Sequence, residues 1–207
     1  IERVGVVGAG LMGSGIAEVS ARAGADVIVV EENPVAAEAG RSRIEKSLMR
    51  AADAGKLPLG EAESALQRLT FSTDLADLAN RQLVIEAIIE DEAAKTSLFQ
   101  SVDKVLEDPD AVLASNTSSI PIMKLAMVTG RPGNVIGIHF FNPVPVLQLV
   151  ELVISLHTQP STIERAEAFA TRQLGKRAIH SKDRAGFIVN ALLIPYILSA
   201  VRMFESG

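Results

Sequence analysis

The chain has 207 residues, 48% of them hydrophobic and 22% charged, with a net charge of −5. That balance fits one folded domain, or one domain with part of another, and the lack of any Lys/Arg block argues against nucleic acid as the main partner. With no cysteine there is no disulfide framework, no thiolate metal site and no cysteine nucleophile.

Arg3–Val7 reads as an apolar strand that runs straight into a glycine turn. No charged segment followed by an apolar run precedes it, so no signal peptide is expected. Residues 11–23 read as a helix stopped by Gly24, and residues 26–31 (DVIVVE) as a second strand, apolar enough to be buried on both faces. Pro34 suits the first turn of a long helix to about residue 54, broken by Gly55, Pro58 and Gly60. Another helix is expected to about Arg68, a buried strand over 83–87 and an amphipathic helix over 90–106. Val112–Ser115, Val135–Phe140 and Leu149–Ile154 read as further strands. Ser161 is the expected N-cap of a helix through Gln173, with Glu164 closing a capping box. Gly175 ends that helix, and residues 177–180 make a last short strand.

Residues 185–204 are apolar nearly all round, and such a helix demands burial. Asn190, Pro195 and Arg202 interrupt the run, and its length barely reaches that of a span, so a buried or interface helix is expected rather than a membrane segment. The expected cover is a further helical domain or another subunit. The alternation of strands and helices predicts an α/β fold: a Rossmann-type, doubly wound, mostly parallel sheet over 1–183, followed at 184–207 by the first helix of an all-α C-terminal domain that is otherwise absent.

Gly8-Ala9-Gly10-Leu11-Met12-Gly13 matches G-x-G-x-x-G in the context that gives the pattern meaning, after a strand and opening a helix. Gly8 permits the tight turn, Gly10 the approach of a pyrophosphate, and Gly13 close helix–strand packing. Glu31 ends the second strand eighteen residues past Gly13, where an acid can accept from both hydroxyls of an adenosine ribose and repel a 2′-phosphate. NAD is therefore expected over NADP, and FAD is the competing dinucleotide.

Oxidation of an alcohol by such a cofactor needs a base, and histidine is the natural choice. Of the three, His157 and His180 lie in polar surroundings that suit solvated side chains. His139 ends an apolar strand, where ligands sit in these sheets, although a core histidine bonded to a carbonyl would look the same. A carboxylate partner would favour the catalytic reading, and Glu151, alone in the apolar run LVELVI, needs a partner of its own.

With GAGLMGSGIA at 8–17, VIEAIIED at 84–91, SNTSSI at 115–120, HFFNPVPVLQLVEL at 139–152 and DRAGFIVNALL at 183–193, the chain resembles the 3-hydroxyacyl-CoA dehydrogenase family over essentially its whole length. The resemblance implies oxidation of an (S)-3-hydroxyacyl-CoA, such as the short-chain 3-hydroxybutyryl-CoA, to the 3-oxoacyl-CoA with hydride transfer to NAD. It implies that His139 is the general base, oriented by Glu151. Ser118 and Asn190 would hold the substrate oxygen and acyl group, helped by Asn142. Glu90, Lys95 and Asn116 would line the nicotinamide half of a cofactor site completed by Gly8, Gly10, Leu11, Met12, Gly13 and Glu31. Read without the resemblance, the favoured readings are Ser118 as a helix cap, Asn190 as a polar residue near a helix start and Lys95 as a solvated lysine.

Ala185, Ala191 and Gln148 stand where the family commonly has Pro, Arg and Lys, which puts details of CoA and domain contacts in doubt. The resemblance further implies a homodimer formed through the C-terminal helices, with no membrane or nucleic-acid partner, in the cytoplasm or, in a eukaryote, the mitochondrial matrix. Two other functions share these features: an NAD-dependent dehydrogenase of a free hydroxy or sugar acid, gulonate-like, and a crystallin-like structural protein. The first would need a cation for the substrate carboxylate. The second would be favoured by loss of the His139–Glu151 pair.

Overall fold

Strands apolar along their whole length need cover on both faces. The computed structural model, which describes residues 1–207, provides it with an eight-stranded sheet between two layers of helices. The strands are β1 (Arg3–Val7), β2 (Asp26–Val30), β3 (Leu69–Ser72), β4 (Leu83–Glu86), β5 (Val112–Ser115), β6 (Val135–Phe140), β7 (Leu149–Ile154) and β8 (Arg177–Lys182). Their order is β3-β2-β1-β4-β5-β6-β7-β8, and all neighbours are parallel except β6 and β7. The helices are α1 (Leu11–Arg22), α2 (Pro34–Asp53), α3 (Leu59–Gln67), α4 (Glu92–Val105), α5 (Ile122–Ala126), α6 (Pro160–Ala168) and α7 (Val189–Ser206). The first six strands follow the order of a doubly wound dinucleotide-binding sheet, whose direction of winding reverses between β1 and β4.

The alternating faces of the strands feed two cores. Val4, Val6, Ile16, Ile44, Leu48 and Phe169 belong to one, beneath α1, α2 and the α6 region. Val84, Leu113, Phe99, Val102 and Leu125 belong to the other, beneath α4 and α5. No helix is long and apolar enough to cross a membrane.

Several expected elements are corrected. β3 was not anticipated: LTFS has four residues of mixed exposure and pairs on one side only, with β2, so it shows no periodicity. α5 is a five-residue helix after Pro121, and Asp183 from the far end of β8 accepts from its first amides, Ile122 N–H (2.9 Å) and Met123 N–H (2.7 Å). Ser161 does not cap α6. Pro160 takes the first helical position, where its missing N–H costs nothing, so Gln159 is the boundary and no side chain caps it. The helix also ends at Ala168 and passes into a wider turn of π type over Phe169–Gln173. β8 extends to Lys182 because Ser181 and Lys182 still find partners on β7. α7 begins at Val189 rather than 185, because Gly186 (φ 73°) and Phe187 (φ 50°) are left-handed and a right-handed helix cannot include them. Its apolar residues, among them Leu192, Tyr196 and Phe204, are exposed.

Candidate active site

The glycine turn lies at the point where the sheet reverses direction. Gly8 has φ 93°, and a Cβ there would lie 2.7 Å from the Ala87 carbonyl oxygen. A Cβ on Gly13 would lie 1.7 Å from the Gly8 carbonyl oxygen, so only glycine lets α1 start this close to the turn. Nothing lies within 4 Å of a Cβ on Gly10, which leaves the N-terminus of α1 open to an anion. Arg43 from α2 braces the turn from behind by donating to the Ala9 carbonyl (2.6 Å).

A cleft of about 550 Å³ runs from Gly8 and Gly10 past Glu31 to the apolar walls of Ile88 and Leu98. Glu31 directly follows β2 and accepts from the Ala9 N–H at close range, which turns its carboxylate toward the glycine loop. An apolar slot, an acid at the end of β2 and an open helix N-terminus in that order fit the adenosine and pyrophosphate of a dinucleotide.

On the other side of the switch point, His139 and Glu151 are directly opposed residues of the antiparallel β6–β7 pair. His139 Nδ1–H donates to Glu151 Oε2 at 2.7 Å. Glu151 is fully buried, and its Oε1 accepts from the backbone N–H groups of Ile188 and Val189, each at 2.9 Å, at the start of α7. Three N–H groups thus converge on two oxygens. The acceptor character of the carboxylate assigns the proton of His139 to Nδ1 and leaves the Nε2 lone pair free. The ring is held between Phe141 and Phe187, with centroids 4.6 and 5.6 Å away.

The SNTSS loop after β5 is organised by Glu90. One of its oxygens accepts from the Thr117 hydroxyl, the Ser118 N–H (2.9 Å), and the Ser119 N–H (3.1 Å) and hydroxyl (3.0 Å). Burial pushes the Glu90 carboxyl up, but the bonds from Thr117 and Ser118, the charge of Lys95 and the bond from Ser119 outweigh it and hold the pKa down at about 2. Lys95 is not a solvated lysine. It is buried, bonded to Glu86 and 3.3 Å from Glu90.

These groups meet in a cavity of about 360 Å³. His139, Ser118, Asn142 and Asn190 line it together with Glu90, Lys95, Asn116 and Met12. Asn116 also ties the wall together, its Oδ1 accepting from the Phe140 N–H at 2.9 Å. Ser118 caps no helix and lies 3.4 Å from Glu90 through its hydroxyl. Leu11 is exposed and faces a different groove, while Glu151 sits behind His139 rather than on the surface of the cavity. His157 is exposed in its loop, and His180 lies 3.4 Å from Glu167 on the surface. Sequence reasoning missed Glu86, although its signal was the one that singled out Glu151: an isolated acid in a buried strand (LVIE).

A doubly wound sheet with a dinucleotide turn, and a hydrogen-bonded histidine–carboxylate pair at the same edge, fits a dinucleotide-dependent dehydrogenase. The family model described as "3-hydroxyacyl-CoA dehydrogenase, NAD binding domain" matches residues 3–184. The chain belongs to that family, and its cofactor is NAD. It is 61% identical to a 3-hydroxybutyryl-CoA dehydrogenase of Mycobacterium tuberculosis, over all of this chain and 72% of that protein. The crystal structure of M. tuberculosis FadB2 superposes with a TM-score of 0.98 at 61% identity, covering 100% of this chain and 73% of the other. The (S)-3-hydroxybutyryl-CoA dehydrogenase PaaH1 from Ralstonia eutropha superposes at 0.96 with 42% identity, covering 100% and 72%.

Proposed function

We propose that the protein catalyses the reversible oxidation of a short-chain (S)-3-hydroxyacyl-CoA, such as 3-hydroxybutyryl-CoA, to the 3-oxoacyl-CoA. The observation that carries this reading is the His139–Glu151 pair opening onto the cavity beside the dinucleotide turn. NAD, held by the glycine turn, Glu31, Asn116 and the Glu90–Lys95 pair, supplies the hydride acceptor when bound. His139 Nε2 takes the proton of the 3-hydroxyl, and Glu151 keeps the ring in the tautomer that can do so. Ser118 and Asn190 stand on the cavity wall as donors for the substrate oxygen, with Asn142 beside them. Proton transfer to a positioned base contributes about 10²–10⁴-fold, and alignment and electrostatics supply most of the rest.

A second groove supports a CoA thioester over a free acid. Arg43, Lys46 and Arg50 line it with Ser14 and Ser47, and it reaches the cavity through Asn142. Three cations fit the phosphates of CoA and lie at the mouth of the site rather than beside the reacting carbon, where a small free acid would need its counter-charge. Its one acid, Glu18, is buried, and burial pushes its carboxyl up.

Residues 184–207 are read as the start of a helical substrate-binding and dimerisation domain, because the apolar surface of α7 needs a partner. The reaction's setting is fatty-acid oxidation in a compartment that holds acyl-CoA and NAD, the cytoplasm or the mitochondrial matrix.

The test is an activity panel of CoA thioesters against free hydroxy and sugar acids, run with NAD and with NADP, on the wild type and His139→Gln. Turnover of 3-hydroxybutyryl-CoA with NAD, lost by several orders of magnitude in the variant with NADH affinity kept, is expected. Equal turnover of free acids, or a His139→Gln enzyme that keeps its rate, refutes the reading.

A further inference from the structure

The cavity beside His139 carries a surplus charge that proton transfer does not use. Glu86, Lys95 and Glu90 meet at the carboxyl end of β4 and the start of α4. Glu86 is buried, and its oxygens accept from the Ile88 N–H (2.8 Å), the Ser115 hydroxyl (2.6 Å) and the Lys95 ammonium. Three donors on two oxygens suit a carboxylate. Lys95 is buried in turn and spends its charge on Glu86 and Glu90. The other elements around the cavity bring no second cation: β5 and its loop contribute Asn116 and Ser118, α1 contributes Met12, and α7 contributes Asn190. β6 contributes His139, whose charge partner is Glu151, and the nearby Lys124 of α5 is spent on Glu92 at the surface. Two carboxylates therefore share one ammonium, and the formal count of the triad is −1.

Resting on the NAD reading above, we infer that this triad sets the balance between the two redox forms of the bound cofactor, favouring the oxidised form, with Glu86 as the positioning residue that supplies the surplus charge. The two forms differ at one place. The oxidised nicotinamide ring is a cation, and acceptance of a hydride, one proton with two electrons, makes it neutral. Adenosine, pyrophosphate and both riboses are common to the two. Contacts to those parts scale both affinities together, whereas a fixed negative charge near the ring changes only their ratio. In a partly buried site, where the effective permittivity is far below that of water, one unit charge several ångströms away moves such a ratio by about tenfold or more. Glu86 is suited to the task. Its oxygens are fully engaged by the protein, so it is charge without being a ligand, and it keeps Lys95 aimed between the two acids.

The experiment measures the dissociation constant of NADH by fluorescence and that of NAD+ by competition, at fixed ionic strength, in the full-length protein and Glu86→Gln. The amide keeps the shape and an acceptor but removes the charge. NAD+ should weaken about tenfold or more while NADH changes less than about twofold. Equal weakening of both forms would mean that Glu86 only holds Lys95 in place, and overturns the inference, as does a larger loss for NADH. Ser115→Ala removes a donor to Glu86 without touching the charge, and should leave the ratio unchanged; a shift as large as that of Glu86→Gln also overturns it. If Glu86→Gln does not fold, Glu90→Gln removes a charge from the open side of the triad and must move the ratio in the same direction. A wild-type protein that binds neither form would fail differently, by removing the cofactor reading on which the inference rests.

Discussion

Replacing Glu151 by Gln keeps the size of the side chain and changes one oxygen into an NH2. Oε1 can still accept from Ile188 and Val189, so the amide group must be turned toward His139. An NH2 there can only donate, which makes Nδ1 the acceptor and puts the ring proton on Nε2. The base then presents a proton to the substrate instead of a lone pair. In a serine-protease triad the same acid-to-amide change costs about 10⁴-fold in kcat, and general-base catalysis as a whole is worth about 10²–10⁴-fold, so a fall of about 10³-fold is expected. The bond to His139 survives with its direction reversed but loses its charge in a fully buried place, a change of about 1 kcal/mol, or about 2–4 °C in Tm for a chain of this size. The assay is NADH oxidation with acetoacetyl-CoA, with the NADH dissociation constant and Tm measured on the same preparation. Turnover within tenfold of wild type, or a collapse of NADH binding, would refute the tautomer argument.

Gly13→Ala should abolish cofactor binding or folding, because its methyl would sit 1.7 Å from the Gly8 carbonyl oxygen; titration with NADH reads the first and thermal melting the second. Glu31→Ala should weaken NADH about 10–100-fold by deleting the charged acceptor for the ribose hydroxyls, measured by fluorescence titration, with kcat at saturating cofactor little changed. Glu90 titrates at about 2 when folded instead of 4.5, so its contribution to stability is complete above about pH 4.5 and is lost as the pH falls toward 2. Melting curves of Glu90→Gln across that interval should therefore show a shallower acid slope than wild type. Doubling Lys46→Ala with Arg50→Ala should raise KM for the CoA thioester about tenfold or more and leave NADH affinity unchanged, read from steady-state kinetics and titration.

What was legible in the sequence was whatever has a period or a fixed spacing. Strands such as VLAS at 112–115 and VIGIHF at 135–140 are buried along their length, and the glycine fingerprint carries its own geometry. β3 and α5 are too short for either signal and exist because neighbours complete them, β2 for the first and Asp183 for the second. The α6 boundary was misplaced because the capping pattern at Ser161 was read ahead of Pro160, whose fixed φ and missing N–H decide the first turn. Lys95 shows the limit for side chains. Sequence places it on an amphipathic helix, where lysine is usually solvated, and only the sheet beyond reveals that Glu86 and Glu90 flank it.

The His139–Glu151 pair follows from one constraint on the chain path. Only eight residues separate β6 from β7, and a parallel return needs a crossover of a dozen or more. The chain must therefore turn back, and β7 is antiparallel in an otherwise parallel sheet. Directly opposed residues of such a pair share a face with their Cβ atoms about 4.5–5.5 Å apart, close enough for an imidazole and a carboxylate to meet and too close for a water between them. The turn that forces this pairing is itself pinned: Lys176 is buried and donates to the carbonyls of Val144 and Leu147, both at 2.7 Å. Glu151 has a second oxygen to satisfy on a face with no solvent, and the first amides of α7 are what reach it. The acid bonded to His139 thus also accepts from the amides that open the last helix. Displacing α7 from the sheet would strip two of the three donors from the carboxylate that holds the His139 ring.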